Sequence, residues 1–278
     1  MVPVVPSAVL NAFGAGVSAT LLPGGQGTTW RAGEIVLKPA DGERQARWTA
    51  ELYSHLPGPG FRVPCPVRAT SGDWVAEGWV AWRWLPGDPA PAARWPDLVA
   101  TSRAFHSALA GTPAPSWLGL DGSQWTVADQ VAWGERDLDG VLTSASPGLA
   151  AQVRSLYREL RPTALPAQLV HGDLAGNVLF ADGELPAVID FSPYWRPAGL
   201  AIAVAAIDVL TWEGGDPSIL GILSDEPDVD QLLARAHIGR LVTEIIARAD
   251  GTGIDVVERA GRPVSELVLA RLRGALRH

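Results

Sequence analysis

Apolar positions along the chain change their rhythm near residue 95. Before it they come in short runs bounded by glycine and proline, the mark of strands; after it they recur at helical spacing over long stretches. A short helix is expected at residues 7–14. The stretch LLPGGQGTTWRAGEIVLKPA, 21–40, then reads as strand, glycine turn and strand. Gly24, Gly25 and Gly27 supply backbone angles closed to other residues, and Ile35, Val36 and Leu37 supply the β-branched and apolar run. Residues 43–56, ERQARWTAELYSHL, hold no Gly or Pro and space Ala46, Ala50 and Tyr53 as a helix does; PGPGF closes it. The segment 63–88 runs apolar around the turn signals SGD and PGD and predicts two or three more strands.

Downstream, WPDLVATSRAFHSALAG, the 125–140 region and AAQVRSLYREL predict helices, as does the tail from Val229, with interruptions expected at GTG and GRP. The apolar run AGLAIAVAAI at 198–207 predicts a buried helix, far short of the ~20 residues that span a bilayer. One island stands among these helices: QLVHGDLAGNVLFADGELPAVIDF, 168–191, with a strand on either side of its DGEL turn. The pattern predicts an α+β fold: a small β-rich lobe over residues 1–87 and a larger helical lobe over 88–278 into which the hairpin is inserted.

Charge and composition narrow the function. A net charge of -8 argues against nucleic acid and favours a neutral or cationic small substrate. The single cysteine, Cys65, excludes a disulfide framework and a CxxC site. No Lys or Arg precedes Arg31, so the N-terminus lacks the positive region of a secretory signal, and a cytoplasmic, membrane-free protein is expected. Lys38 is the only lysine among 22 basic residues. Arginine bias explains why lysine is scarce, but not why the survivor sits in an apolar strand.

The island places Asp173 and Asn177 before Val178, Leu179 and Phe180, and Asp190 after Val188 and Ile189. Two carboxylates and an amide oxygen flanking one hairpin are hard donors that suit Mg²⁺ with a phosphate substrate. A further carboxylate that accepts a hydroxyl proton would complete a phosphoryl-transfer site.

HGDLAGNVLF followed by VIDF resembles the catalytic loop and metal-binding motif of the aminoglycoside phosphotransferase group, whose members share the protein-kinase-like two-lobed fold. The resemblance implies an ATP- and magnesium-dependent transfer of the γ-phosphate to a hydroxyl of a small molecule. Asp173 would orient or deprotonate that hydroxyl, and Asn177 and Asp190 would hold magnesium. Lys38, beneath a glycine turn containing Gly25 and Gly27, would touch the α and β phosphates. A helix glutamate, Glu51 rather than Glu43, would steer it. Trp82 to Leu85, with Trp84 and Leu85 nearest the PG connector, would meet adenine. The family pattern has five steps from the catalytic Asp to the Asn; here there are four. In SPYWRPAGLAIA no acidic residue stands where the family braces its catalytic loop. These departures motivate an alternative, a nucleotide-binding pseudokinase. Acidic residues Glu213, Asp216, Asp225, Glu226 and Asp228 offer a wall for a cationic acceptor. His171 is read as a structural residue of the loop, and His106 and His237 are given no role.

Overall fold

The computed structural model of the chain describes residues 4–16, 18–23, 27–40, 42–56, 58–252 and 256–274. Two compact units emerge: Met1–Asp88 with Leu179–Phe191, and Pro89–Val178 with Ser192–His278. The hairpin expected as an insert in the helical lobe therefore groups with the N-terminal residues, and the chain passes from one unit to the other after Asp88, Val178 and Phe191.

In the first unit, helix α1 (Ser7–Ala12) precedes strands β1 (Thr20–Leu21), β2 (Trp30–Ala32) and β3 (Ile35–Pro39), helix α2 (Glu43–Ser54), and strands β4 (Pro66–Val67), β5 (Val75–Ala76) and β6 (Trp79–Arg83). The sheet runs β1-β2-β3-β6-β4, with β5 also on β6, and its neighbours are antiparallel. The region read as one hairpin is three strands, because the chain turns again at Gly33 and Glu34, between Ala32 and its partner Ile35. A two-residue turn also joins β5 to β6. Glu77 and Gly78 both adopt positive φ, 53° and 72°, the backbone that matches the twist of paired strands.

Strand alternation decides where Lys38 points. Trp30 and Ala32 on β2, Ile35 and Leu37 on β3 and Ala81 on β6 are buried in one cluster with Val5, Val9 and Phe13. They are cross-strand neighbours, Trp30 to Leu37 and Leu37 to Ala81. A period of two then turns Val36 and Lys38 to the opposite face of the sheet.

The remaining strands and helices follow in chain order. They are β7 (Asp88–Pro89), α3 (Trp95–Leu109), α4 (Gln124–Ala132), α5 (Leu138–Leu142), α6 (Pro147–Tyr157), β8 (Gln168–His171), β9 (Val178–Phe180), β10 (Ala187–Val188), β11 (Pro193–Arg196) and α7 (Gly199–Trp212). A 3-10 helix (Pro217–Leu223) leads to α8 (Val229–Ala249) and α9 (Val256–Leu272). In the second unit α7 is buried from Gly199 through Val209, as its unbroken apolar run predicts. Strand β11 escaped the sequence reading because SPYWR shows no alternation. Its partner makes it a strand, pairing Pro193 with His171 and Arg196 with Gln168. Nor does GRP interrupt the tail: α9 runs through Pro263. A proline inside a helix costs about 3 kcal/mol, and burial of Val264 and Val268 on the same helix offsets it. Among the described residues, no helix is long and apolar enough to cross a membrane.

Candidate active site

In the first unit the Lys38 ammonium donates to Asp190 Oδ1 at 2.6 Å. Two features bring Asp190 there. The segment around Arg62 is stitched to the hairpin: Arg62 N–H donates to Pro186 O at 2.7 Å, Val188 N–H to Arg62 O at 2.8 Å, and Arg62 Nε to Leu185 O at 2.7 Å. Phe191, the next residue, is buried against α2, its ring 6.3 Å from that of Trp48 and 6.1 Å from that of Tyr53. Asp190 itself has φ 50°, the left-handed region that costs a non-glycine residue about 1 kcal/mol or more. The buried Phe191 fixes the turn, and the carboxylate is left at the surface. Burial, and after it the charge of Asp190, holds the Tyr53 hydroxyl well above the ordinary tyrosine pKa.

Lys38 and Asp190 are 26% and 53% exposed at their side chains. An ion pair so open to water is worth about 0–1 kcal/mol. It is therefore cheap to break.

Glu51 is not brought to Lys38. It accepts from Trp74 Nε1 at 3.0 Å and lies 4.0 Å from Arg68. The reason is helical spacing: Glu43, Arg47 and Glu51 share one face of α2, and Arg47 commits that face to the turn at Asp73 by donating to it at 3.0 Å. Glu43 accepts from Arg47 at 2.9 Å, so neither glutamate steers the lysine here. Gly27 adopts φ 69°, while Gly25 lies outside the described residues. Trp84 is half-buried; its backbone N–H donates to Glu34 O at 3.0 Å and the Arg31 guanidinium lies 4.2 Å from its ring centre. Leu85, also half-buried, leads through Pro86 to Gly87. There φ is 133°, and a Cβ would come within 2.9 Å of Phe180 O, so only glycine lets the connector pass the hairpin.

In the second unit the catalytic-loop candidate hangs on buried imidazoles. His106, on α3, donates from Nδ1 to Ser102 O at 2.7 Å and accepts the His171 backbone N–H at Nε2, 3.0 Å away. The second bond needs a neutral ring, and burial pushes the His106 pKa down to about 4. His171, fully buried, accepts the Asp173 N–H at Nδ1, 3.1 Å away. A Cβ on Gly172 would lie 2.2 Å from the Tyr194 ring, so β11 packs too closely for any other residue there. Asn177 donates from Nδ2 to Asp173 O at 2.7 Å and to Asp173 Oδ2 at 3.1 Å. With both amide hydrogens used on Asp173, the Asn177 amide oxygen remains as an acceptor.

Arg240 completes this unit's site. From α8 its Nη2 donates to Asp173 Oδ1 at 3.1 Å, and its fork is held by Asp208 of α7. The acidic wall is largely spent on local structure. Asp216 caps the 3-10 helix by accepting the Ser218 N–H at 2.9 Å, Asp228 accepts from Thr163 at 2.6 Å, and Glu226 meets Arg103 at 3.5 Å. A concavity lined by Gly134, Asp137, Asp139, Arg154, Tyr157 and Arg158 holds none of these residues.

The model of a family described as the phosphotransferase enzyme family, APH, matches residues 21–194. The chain belongs to that family. Its membership makes this phosphotransferase a small-molecule kinase, and its fold is kinase-like. An aminoglycoside phosphotransferase APH(4)-Ia, in a ternary complex with AMP-PNP and hygromycin B, is 18% identical with TM-score 0.65, over 98% of this chain and 99% of that one. An AMP-bound spectinomycin phosphotransferase, APH(9)-Ia, is 14% identical with TM-score 0.60, over 98% of each chain. No curated protein matches the chain by sequence.

Sequence reasoning missed three residues that support the catalytic-loop candidate. His106, given no role, supports the loop through the backbone of His171, 65 residues away. Arg240 and Asp208 lie 67 and 35 residues beyond Asp173 and form no motif with it. The only signal was Asp208 itself, a carboxylate closing an otherwise apolar run.

Proposed function

We propose that the chain transfers the γ-phosphate of ATP to a hydroxyl group of a small, cationic molecule, with magnesium as the resident cation. The observation that carries this reading is the Lys38–Asp190 pair at 2.6 Å, set in a member of a phosphotransferase family. One strand lysine and one carboxylate after a β hairpin are the groups that a nucleotide's phosphates and their cation require.

The donor set fits magnesium: the Asp190 carboxylate is exposed, and the Asn177 amide turns its nitrogen to Asp173 and so keeps its oxygen for another partner. Asp190 and Asn177 would hold the ion, which when bound neutralises charge on the transferring phosphates. Lys38 releases Asp190 and pairs with the α and β phosphates; a compact ammonium suits that place better than a planar guanidinium. Trp84 and Leu85 carry the backbone that meets adenine, and the glycine turn that includes Gly27 lies toward the phosphates. Asp173 receives the acceptor hydroxyl and aligns its oxygen with the γ-phosphorus. Because the transition state is loose, this alignment matters more than strong basicity.

A cationic acceptor is supported by the net charge of -8 and by Asp121 and Glu213, whose charges are felt at Tyr194 and Asp208 beside Asp173. The proteins of similar fold bind hygromycin B and spectinomycin.

The test is melting temperature with AMP-PNP, with and without magnesium, followed by ATP turnover across a panel of amine-bearing polyols. The proposal expects a magnesium-dependent rise with AMP-PNP, lost in Asp190→Asn, and turnover with at least one acceptor. A rise without any turnover would make the chain a pseudokinase.

A further inference from the structure

Both oxygens of the Asp173 carboxylate receive a donor from the protein. Asn177 Nδ2 reaches Oδ2 at 3.1 Å and Arg240 Nη2 reaches Oδ1 at 3.1 Å. The second donor is an expensive one. Arg240 is 19% exposed and rests on Asp208, whose side chain is 9% exposed. The contact is a two-point fork, Nε to Oδ1 at 2.8 Å and Nη2 to Oδ2 at 2.6 Å.

Packing does not explain the pair. Asp208 is the one charged residue of α7, a helix buried along most of its length. A buried ion pair is commonly no more stable than the apolar residues that would fill the same space. What an apolar pair could not do is reach Asp173. The fork fixes the plane of the guanidinium, and that plane leaves Nη2 directed at Oδ1 and, at 3.5 Å, at the Gly172 carbonyl. Burial works against the Arg240 charge, but the carboxylates of Asp208 and Asp173 outweigh it and hold its pKa above that of ordinary arginine.

We propose that Arg240, oriented by Asp208, is a positioning residue for phosphoryl transfer: it fixes the rotation of the Asp173 carboxylate so that the acceptor hydroxyl is presented in line. This rests on the reading of Asp173 as the residue that receives the hydroxyl. Without Arg240, a side chain 53% exposed and held through one oxygen would turn in solvent. Misplacement of a reacting group by about 1 Å costs on the order of 100-fold in rate. Lysine cannot replace this arginine, because a single ammonium cannot grip Asp208 at two points and still reach Asp173.

The test is a double-mutant cycle on the full chain, with ATP turnover to water as the probe and AMP-PNP affinity and melting temperature measured alongside. Arg240→Lys is expected to lower kcat by about 10- to 100-fold while leaving KM for ATP within about twofold. The loss should shrink to less than about threefold in an Asp173→Asn background, because the arginine acts only through that carboxylate. A purely structural role predicts the same loss in both backgrounds, and that result overturns the proposal, as does wild-type turnover by Arg240→Lys. If Arg240→Lys does not fold, Arg240→Met with Asp208→Leu removes both buried charges at once and is read the same way. Should Asp173→Asn leave turnover unchanged, the functional reading falls and this proposal with it. If Asp173→Asn is inactive and Arg240→Lys is not impaired, this proposal alone falls.

Discussion

Asp190 and Asp173 are carboxylates of one short sequence island and are equally exposed, at 53% of their side chains, yet they differ in the donors that hold them. Asp190 meets Lys38 in an exposed pair, both partners on the surface of the first unit. Asp173 is held by Asn177 and Arg240, on a loop whose backbone is hung from buried His171 and His106. On the proposed function, the contrast would follow the demands of the reaction. A group that must hand itself over to a nucleotide and a cation is better left in a cheap ion pair, whereas one that must align a hydroxyl gains from being fixed beforehand.

The sharpest way to break this contrast is at Asp173. Asp173→Asn should lower turnover by about 10²- to 10⁴-fold with AMP-PNP affinity unchanged; steady-state kinetics beside a binding titration reads both. A parallel loss of nucleotide affinity would mean the two carboxylates share one task.

Acid should act next most strongly, and on the buried side of the contrast. The folded-state pKa values of His106 and His237 are lowered by burial to about 4, below the unfolded value of about 6.5. The unfolded chain therefore binds more protons between these limits. The stabilisation present above pH 6.5 is lost as pH falls toward 4, by about 3 kcal/mol for each histidine. Urea unfolding at pH 7.5 and at pH 5 measures it; equal midpoints would contradict neutral, buried rings.

Lys38→Arg is expected to reduce turnover about 100-fold, chiefly through weaker use of ATP. Near-normal turnover would show that any cation serves. The smallest effect expected is on stability. Lys38→Met should shift unfolding by no more than about 1 kcal/mol, whereas a larger loss would place the Lys38–Asp190 pair among the supports of the fold.

How legible each region was follows from how local its causes are. Period-two burial on β3 and the HGD and IDF motifs sit within a few residues of the side chains they position, so Lys38, Asp173, Asn177 and Asp190 could be singled out. The supports could not. Arg240 reaches Asp208 across 32 positions and Asp173 across 67, contacts set by how α7 and α8 pack. Glu51 shows the converse: the family resemblance gave it a lysine partner, but it bonds Trp74, and Arg47 of the same helix face bonds Asp73. Strand β11 needed β8 to make it a strand, and the proline of GRP needed the burial of α9 to keep it helical.

The central claim is that Asp173 directs ATP's γ-phosphate to a small molecule, and following labelled γ-phosphate in wild-type and Asp173→Asn protein across amine-bearing polyols tests it most directly. The account predicts label on an acceptor with the wild type and at least a 100-fold drop in the variant, at equal AMP-PNP affinity. Label transferred equally well by both proteins, or nucleotide bound by the wild type with no label leaving it, would contradict it.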